Sequence, residues 1–195
     1  MRDPPSPRSA ATTLILGGVR SGKSRQAGEI ARAAGCAVIV IATGTAQDQE
    51  MRDRIELHRA QRPKEWSVVE EPIRLASALA AAASPSRIVI VDCLTLWLTN
   101  LLCGGDPGAL RRESTQLLEL LPSLPGDCVL VSNEVGLGII PANALARRFA
   151  DEAGTLHQRL AALCDRVIFM AAGLPLRLKG QERTPREPPP GECAS

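Results

Sequence analysis

An α/β fold with a mostly parallel sheet covered by helices on both faces follows from three features of the sequence. Short Val- and Ile-rich runs recur along the chain, and longer stretches of helical periodicity lie between them. Strands buried on both faces read as such continuous apolar runs, and regular alternation of strand with helix is the mark of successive βαβ units. With 195 residues, the chain has room for one domain with a sizeable core and too little for two large ones.

Apolar runs at 12–16, 37–42, 87–91, 128–132 and 166–170 each read as a strand, and 66–69 is a weaker sixth. Helical spacing of apolar residues predicts helices over 23–34, 47–61, 73–83, 94–102, 110–121 and 143–164. Residues 1–11 and 181–195 are rich in Pro, Ser, Glu and Arg and carry almost no periodic apolar signal. They are expected to be a disordered leader and a disordered tail flanking one domain at 12–180. No internal repeat is apparent.

Composition narrows the function. Hydrophobic residues make up 45% and charged residues 23%, which is ordinary globular usage. Aromatics are 2%, Tyr is absent and the net charge is +2, so neither stacking platforms nor a broad basic surface exists for nucleic acid. No run of about 18 apolar residues occurs and the first residues lack an apolar signal core. A cytoplasmic protein without membrane insertion is expected. The six cysteines, Cys36, Cys93, Cys103, Cys128, Cys164 and Cys193, form no C-x-x-C pair and have no His-rich neighbours. They read as small buried hydrophobes.

Directly after the first strand stands Gly17-Gly18-Val19-Arg20-Ser21-Gly22-Lys23-Ser24, which matches G-x-x-x-x-G-K-[ST] between a strand and a helix. This is the context of a P-loop and sets the fold as the P-loop NTPase type. The glycines let successive backbone N–H groups curl around phosphate oxygens. Lys23 supplies a point charge, Ser24 offers a hydroxyl to Mg²⁺, and the helix adds its positive end. A glycine turn is the bland alternative.

Further candidates lie at the ends of later strands. Asp92 closes the run Ile88-Val89-Ile90-Val91, either as a carboxylate facing Mg²⁺ or as the cap of the next helix. Asn133-Glu134 with Gly136 and Gly138 follows the fifth strand, either for substrate or metal contacts or as a tight turn. Arg54, His58 and Arg62 recur at every fourth position and so share one helix face. Two neighbouring cations disfavour imidazolium, so His58 would tend to stay neutral and nucleophilic; a solvated surface histidine is the alternative. His157 lies within the last long helix. It has no chemistry-bearing neighbour in sequence and reads as a surface helix position.

In combination these motifs closely resemble one family, the bifunctional adenosylcobinamide kinases and adenosylcobinamide-phosphate guanylyltransferases of cobalamin assembly. The likeness runs from about Thr12 to Lys179 and rests on the phosphate loop and Ile41-Ala42-Thr43. Asp48-x-Glu50-Met51-x-x-Arg54-Ile55-x-x-His58-x-x-x-Arg62-Pro63-x-x-Trp66 and Val69-Glu70-Glu71-Pro72 carry it further. So do Asp92-Cys93-Leu94-Thr95, Thr99-Asn100-Leu101-Leu102, Ser132-Asn133-Glu134-Val135-Gly136, Gly138-Ile139-Ile140-Pro141 and Gln158-Arg159-Leu160-Ala161. Val19 and His157 depart from the commonest family pattern, which has Ala and Asn there.

The resemblance implies two steps at one nucleotide site. A hydroxyl of adenosylcobinamide takes the γ-phosphoryl group of ATP or GTP. A histidine, matched by His58, then takes GMP from GTP and passes it to adenosylcobinamide phosphate. By the same resemblance the nucleotide site comprises Gly17, Gly18, Val19, Arg20, Ser21, Gly22, Lys23, Ser24, Ala42, Thr43, Gly44, Arg59, Ala60, Gln61, Arg62, Glu70 and Asp92. Ser24 and Asp92 would hold Mg²⁺, His58 and Lys23 would be catalytic, and the assembly would be a homotrimer. Two other readings stay open on the residues alone: a P-loop small-molecule kinase lacking guanylyl transfer, and a nucleotide-dependent switch.

Overall fold

A computed structural model describes residues 10–46, 48–60 and 62–180, without the side chains of Arg54 and His58. Seven strands form one sheet: β1 (Thr12–Gly17), β2 (Ala37–Ala42), β3 (Ser67–Glu70), β4 (Arg87–Asp92), β5 (Asp127–Val131), β6 (Arg166–Ala171) and β7 (Leu174–Lys179). Their order is β3-β2-β4-β5-β1-β6-β7. Every pairing is parallel except β6 with β7.

The side-chain alternation of the central strands sorts the core into two layers. Leu14, Leu16, Val89, Val91, Cys128 and Leu130 point to one face. There they meet α3 (Leu75–Ala82), α4 (Leu94–Cys103), α5 (Ala109–Leu120) and α6 (Ala144–Leu163). Ile15, Val40, Ile88, Ile90, Val129 and Val131 point to the other face and meet α1 (Lys23–Ala34). Because parallel strands share direction, the loops leaving β1, β2, β4 and β5 all emerge at one edge. α2 (Gln49–Ala60) lies at that edge beyond β2. Gly44 permits this: an added Cβ would stand 3.1 Å from Leu96 Cδ1 and 3.6 Å from Ile55 Cδ1 of α2.

The sequence reading of the strands and helices matches within a few residues. It lacks β7, an antiparallel edge strand reached through the two-residue turn Ala172-Gly173, both at positive φ. The folded body also begins before Thr12, since the Ala11 N–H donates to Asp127 Oδ1 at 3.0 Å and its carbonyl accepts from Cys128. Of the cysteines, Cys93, Cys128 and Cys164 are buried, with burial pushing the Cys164 thiol up to about 12. Cys103 is exposed, against the expectation of burial, because it closes α4 where the helix runs out into the Gly104-Gly105 turn. Residues 1–9, the tail 181–195 with Cys193, and Gln61 lie outside the described residues.

Candidate active site at the sheet edge

The phosphate loop takes its shape from backbone angles few residues adopt. Gly17 has φ 149° and Gly22 φ 99°, and Arg20 also lies in the left-handed region. An added Cβ at Gly17 would collide with the Met170 carbonyl oxygen and lie 2.8 Å from Ser21 Oγ. The loop is braced from both sides. The Glu134 N–H donates to the Gly17 carbonyl at 3.0 Å, and the Gly173 N–H donates to the Ser21 carbonyl at 3.0 Å. Arg25 Nη2 donates to the Gly173 carbonyl at 2.7 Å. Lys23 is buried, its Nζ donating to the Gly18 carbonyl at 2.7 Å. Burial holds its pKa below the usual lysine value, opposed by the negative charge of the Asp92 carboxylate. Ser21 Oγ is buried without a hydrogen-bond partner among the described residues, a polar atom left for a ligand.

Across the edge, Thr43 is fully buried and works as a latch between β2 and the start of α4. Its N–H donates to the Asp92 carbonyl, and its hydroxyl donates to the Cys93 carbonyl at 2.7 Å while accepting from the Cys93 N–H at 3.0 Å. Asn100 donates to the Thr43 carbonyl at 2.7 Å. Ala42 and Gly44, on either side, remain partly exposed.

Asp92 does not cap α4, whose N-cap is Cys93 without a side-chain cap bond. Its Oδ2 lies 3.3 Å from Arg62 Nη2, both side chains being largely buried. Arg59, near the end of α2, pairs with Glu70 at the end of β3. That second pair is exposed and contributes little stability, but together the two pairs hold both sides of the α2 terminus against the edge. A cavity of about 360 Å³ opens here, with Ser24 and Arg25 of α1 facing Arg62, Trp66 and Asp92. The Ser24 hydroxyl and Asp92 carboxylate on its wall are hard oxygen donors. They fit Mg²⁺, which takes one or two protein ligands and fills its shell with water and phosphate.

At the end of β5 the structure corrects the sequence reading of His157. It is 5% exposed, not a surface position, and its Nε2 lies 2.7 Å from the fully buried Ser132 Oγ. Ala153, Leu156 and Leu160 form the buried stripe of α6, and position 157 falls within it at helical spacing. Burial lowers the His157 pKa, outweighing the nearby Glu134 carboxylate. The ring is therefore neutral in the fold near pH 7 and charges more readily once unfolded. Stability is full above about pH 6.5, the unfolded value, and falls as pH drops through the lower folded value. In thermal melts the wild type should lose more of its Tm between pH 7 and pH 5.5 than His157→Gln does. Equal slopes would remove His157 from the acid limb. His157→Ala should cost about 2–4 kcal/mol, since it opens a cavity and strands the Ser132 hydroxyl, against about 0.5 kcal/mol for a surface site.

The structure thus brings residues 17–24, Ala42, Thr43, Gly44, Arg62 and Asp92 to one edge, with Arg59, Ala60 and Glu70 at its rim. The side chain of His58 and residue Gln61 lie outside the described residues. The backbone places position 58 in the last turn of α2, next to Arg59. The neutral state expected for His58 therefore rests on the sequence. Among the described residues no helix is long and apolar enough to cross a membrane.

Comparison with known proteins adds the following. A family model described as cobinamide kinase / cobinamide phosphate guanyltransferase matches residues 13–178. The bifunctional adenosylcobalamin biosynthesis protein CobP of Pseudomonas aeruginosa is 55% identical over 168 residues, which is 86% of this chain and 97% of that protein. The bifunctional adenosylcobalamin biosynthesis protein CobU of Escherichia coli is 38% identical over 179 residues, 85% of this chain and 98% of that protein. Among solved structures, PH0250 of Pyrococcus horikoshii superposes with a TM-score of 0.53 at 10% identity, over 88% of this chain and 87% of its own. The P4 protein of bacteriophage phi6, solved with ADP, superposes with a TM-score of 0.50 at 16% identity. That match covers 90% of this chain, which spans 57% of the P4 chain. At such identities the likeness is one of fold.

Proposed function

Because the chain belongs to the cobinamide kinase / cobinamide phosphate guanyltransferase family, we propose that it carries out both steps at the sheet edge described above. It phosphorylates adenosylcobinamide with ATP or GTP. It then transfers GMP from GTP to the resulting phosphate, releasing pyrophosphate and giving adenosyl-GDP-cobinamide in cobalamin nucleotide-loop assembly. The observation that carries this reading is convergence. Ser24 at the end of the phosphate loop, Asp92 at the end of β4 and Arg62 just beyond α2 line one cavity, although they are far apart in sequence.

In the kinase step the loop N–H groups and Lys23 hold the β- and γ-phosphates and neutralise charge as the phosphoryl group moves. Mg²⁺, held by Ser24 and Asp92, would supply further charge neutralisation on the phosphate oxygens. In the guanylyl step a nitrogen of His58 forms a bond to the α-phosphorus of GTP as the bond to pyrophosphate breaks. The cobinamide phosphate oxygen then displaces that nitrogen, so one displacement becomes two easier ones. Arg59 and Arg62, one and four residues beyond His58, are placed to meet the triphosphate. Ala42, Gly44 and Glu70 border the nucleotide, and Thr43 holds β2 and β4 in register beneath it.

The absence of a membrane-crossing helix among the described residues and the modest net charge of +2 favour a cytoplasmic enzyme that does not bind nucleic acid. The family likeness favours a homotrimer. The reading is tested by incubating the protein with Mg²⁺ and GTP labelled at the α-phosphate, then denaturing it. An acid-labile, base-stable label on protein is expected, whereas a plain kinase or a nucleotide switch would leave none.

Asp92→Asn keeps the shape of the side chain and removes its charge. A several-fold rise in the Mg²⁺ concentration that half-saturates phosphorylation is expected, with a Tm below that of wild type because Arg62 loses its charged partner. An unaltered Mg²⁺ titration would remove Asp92 from the metal site.

A further inference from the structure

The steps described above leave one polar cluster unused. Along β5, Cys128 and Leu130 face the layer of α4 to α6, and Ser132 continues that alternation beyond the strand. Its hydroxyl meets His157 Nε2, and His157 Nδ1 is buried with no hydrogen-bond partner among the described residues. That orphaned nitrogen lies 3.7 Å from Glu134 Oε2, longer than a hydrogen bond. Glu134 Oε1 accepts from the Gly136 N–H at 2.6 Å, and the Glu134 N–H is the one bonded to the Gly17 carbonyl. The carboxylate is therefore anchored by its own backbone to the first residue of the phosphate loop. It leaves the sheet from the strand lying between β1 and β4.

The other carboxylates at this edge are engaged. Glu70 is tied to Arg59 and Asp92 to Arg62, and Glu71 Oε1 accepts from the N–H groups of Ile73 and Arg74. Glu134 Oε2 faces an imidazole instead of a fixed cation, which leaves its lone pairs available to a proton. A Ser132 hydroxyl donating to Nε2 keeps the single ring proton on Nδ1, aimed at Glu134. Contacts of this kind are commonly long in the free enzyme and tighten with substrate.

From this geometry we infer that Glu134 is the base of the phosphoryl step and that Ser132 and His157 position it. The inference rests on the kinase reading above. The proton of the acceptor hydroxyl passes to a Glu134 oxygen, and the hydroxyl oxygen forms its bond to the γ-phosphorus. The bond from that phosphorus to the β–γ bridging oxygen breaks, its electron pair leaving on the nucleoside diphosphate. Glu134 returns the proton to solvent when product departs.

The test uses the full chain, with Mg-ATP and adenosylcobinamide as substrates. Glu134→Gln, an isosteric change at a partly exposed position, should lower kcat by 10²-fold or more with KM for ATP within about threefold of wild type, the scale of a lost general base. His157→Ala should lower kcat about tenfold at unchanged KM, and His157→Gln, which retains an N–H donor, should recover most of that loss. A Glu134→Gln enzyme with near-normal kcat, or one altered chiefly in KM for ATP, overturns the assignment of the base. Folded His157→Ala with wild-type kcat overturns the positioning role; should that variant not fold, Glu134→Gln decides alone. A wild-type protein that phosphorylates no cobinamide would overturn the kinase reading itself, a separate outcome.

Discussion

Alanine in place of Lys23 should reduce cobinamide phosphorylation by 10²-fold or more while leaving the thermal transition close to that of wild type. The ammonium is buried at the start of α1, where its charge faces whatever occupies the loop. In the free protein it is held by the Gly18 carbonyl at 2.7 Å, a partner that phosphate oxygens can replace. Truncation leaves charge on the β- and γ-phosphates uncompensated at the moment of transfer, and losses of a single pre-organised donor run to about 10²–10³ in rate. Fold stability should change little, because the residue freed is the exposed Gly18. Steady-state phosphorylation with Mg-ATP checks the point. Near-normal activity would end the assignment of this loop to the transferred phosphate.

His58→Ala should produce a different defect: complete loss of GMP labelling and of guanylyl transfer, with phosphorylation by ATP retained. The two chemistries separate because direct transfer from nucleotide to hydroxyl needs no adduct on the protein, whereas the guanylyl route passes through one. The other histidine cannot substitute, since His157 is buried on α6 against Ser132. Assaying both activities in one preparation makes the control internal. Label retained by the His58 variant would rule out the covalent mechanism even if the kinase activity stood.

Local sequence carried most of the architecture, because the buried strands and the phosphate loop are both encoded in contiguous residues. What escaped is non-local or depends on unusual backbone. The edge strand β7 alternates Leu174, Leu176 and Leu178 with Pro175, Arg177 and Lys179, and every residue in it is exposed. Its turn places Ala172 at positive φ, where glycine or asparagine would have announced it. Asp92 was legible as a carboxylate at a strand end, yet its pairing with Arg62, thirty positions away, in place of a cap on α4 is a non-local feature. His157 was misread for a similar reason. Helical spacing alone put it on the stripe of Leu156 and Leu160, but only the buried end of β5 supplies the hydroxyl that makes a buried imidazole tolerable.

The hairpin turn at Ala172-Gly173 bears on binding thermodynamics. By bonding to Ser21 and Arg25, it gives the phosphate loop its curled form during folding, before any nucleotide arrives. Ordering the backbone of one residue costs about 1–2 kcal/mol. Ordering a slack eight-residue loop on binding would therefore cost on the order of 10 kcal/mol, comparable with the whole free energy of a nanomolar complex. Here that conformational entropy is already lost in the free protein. Phosphate recognition can thus proceed with nearly its full interaction energy, and the edge hairpin contributes to affinity through the disorder it removes beforehand.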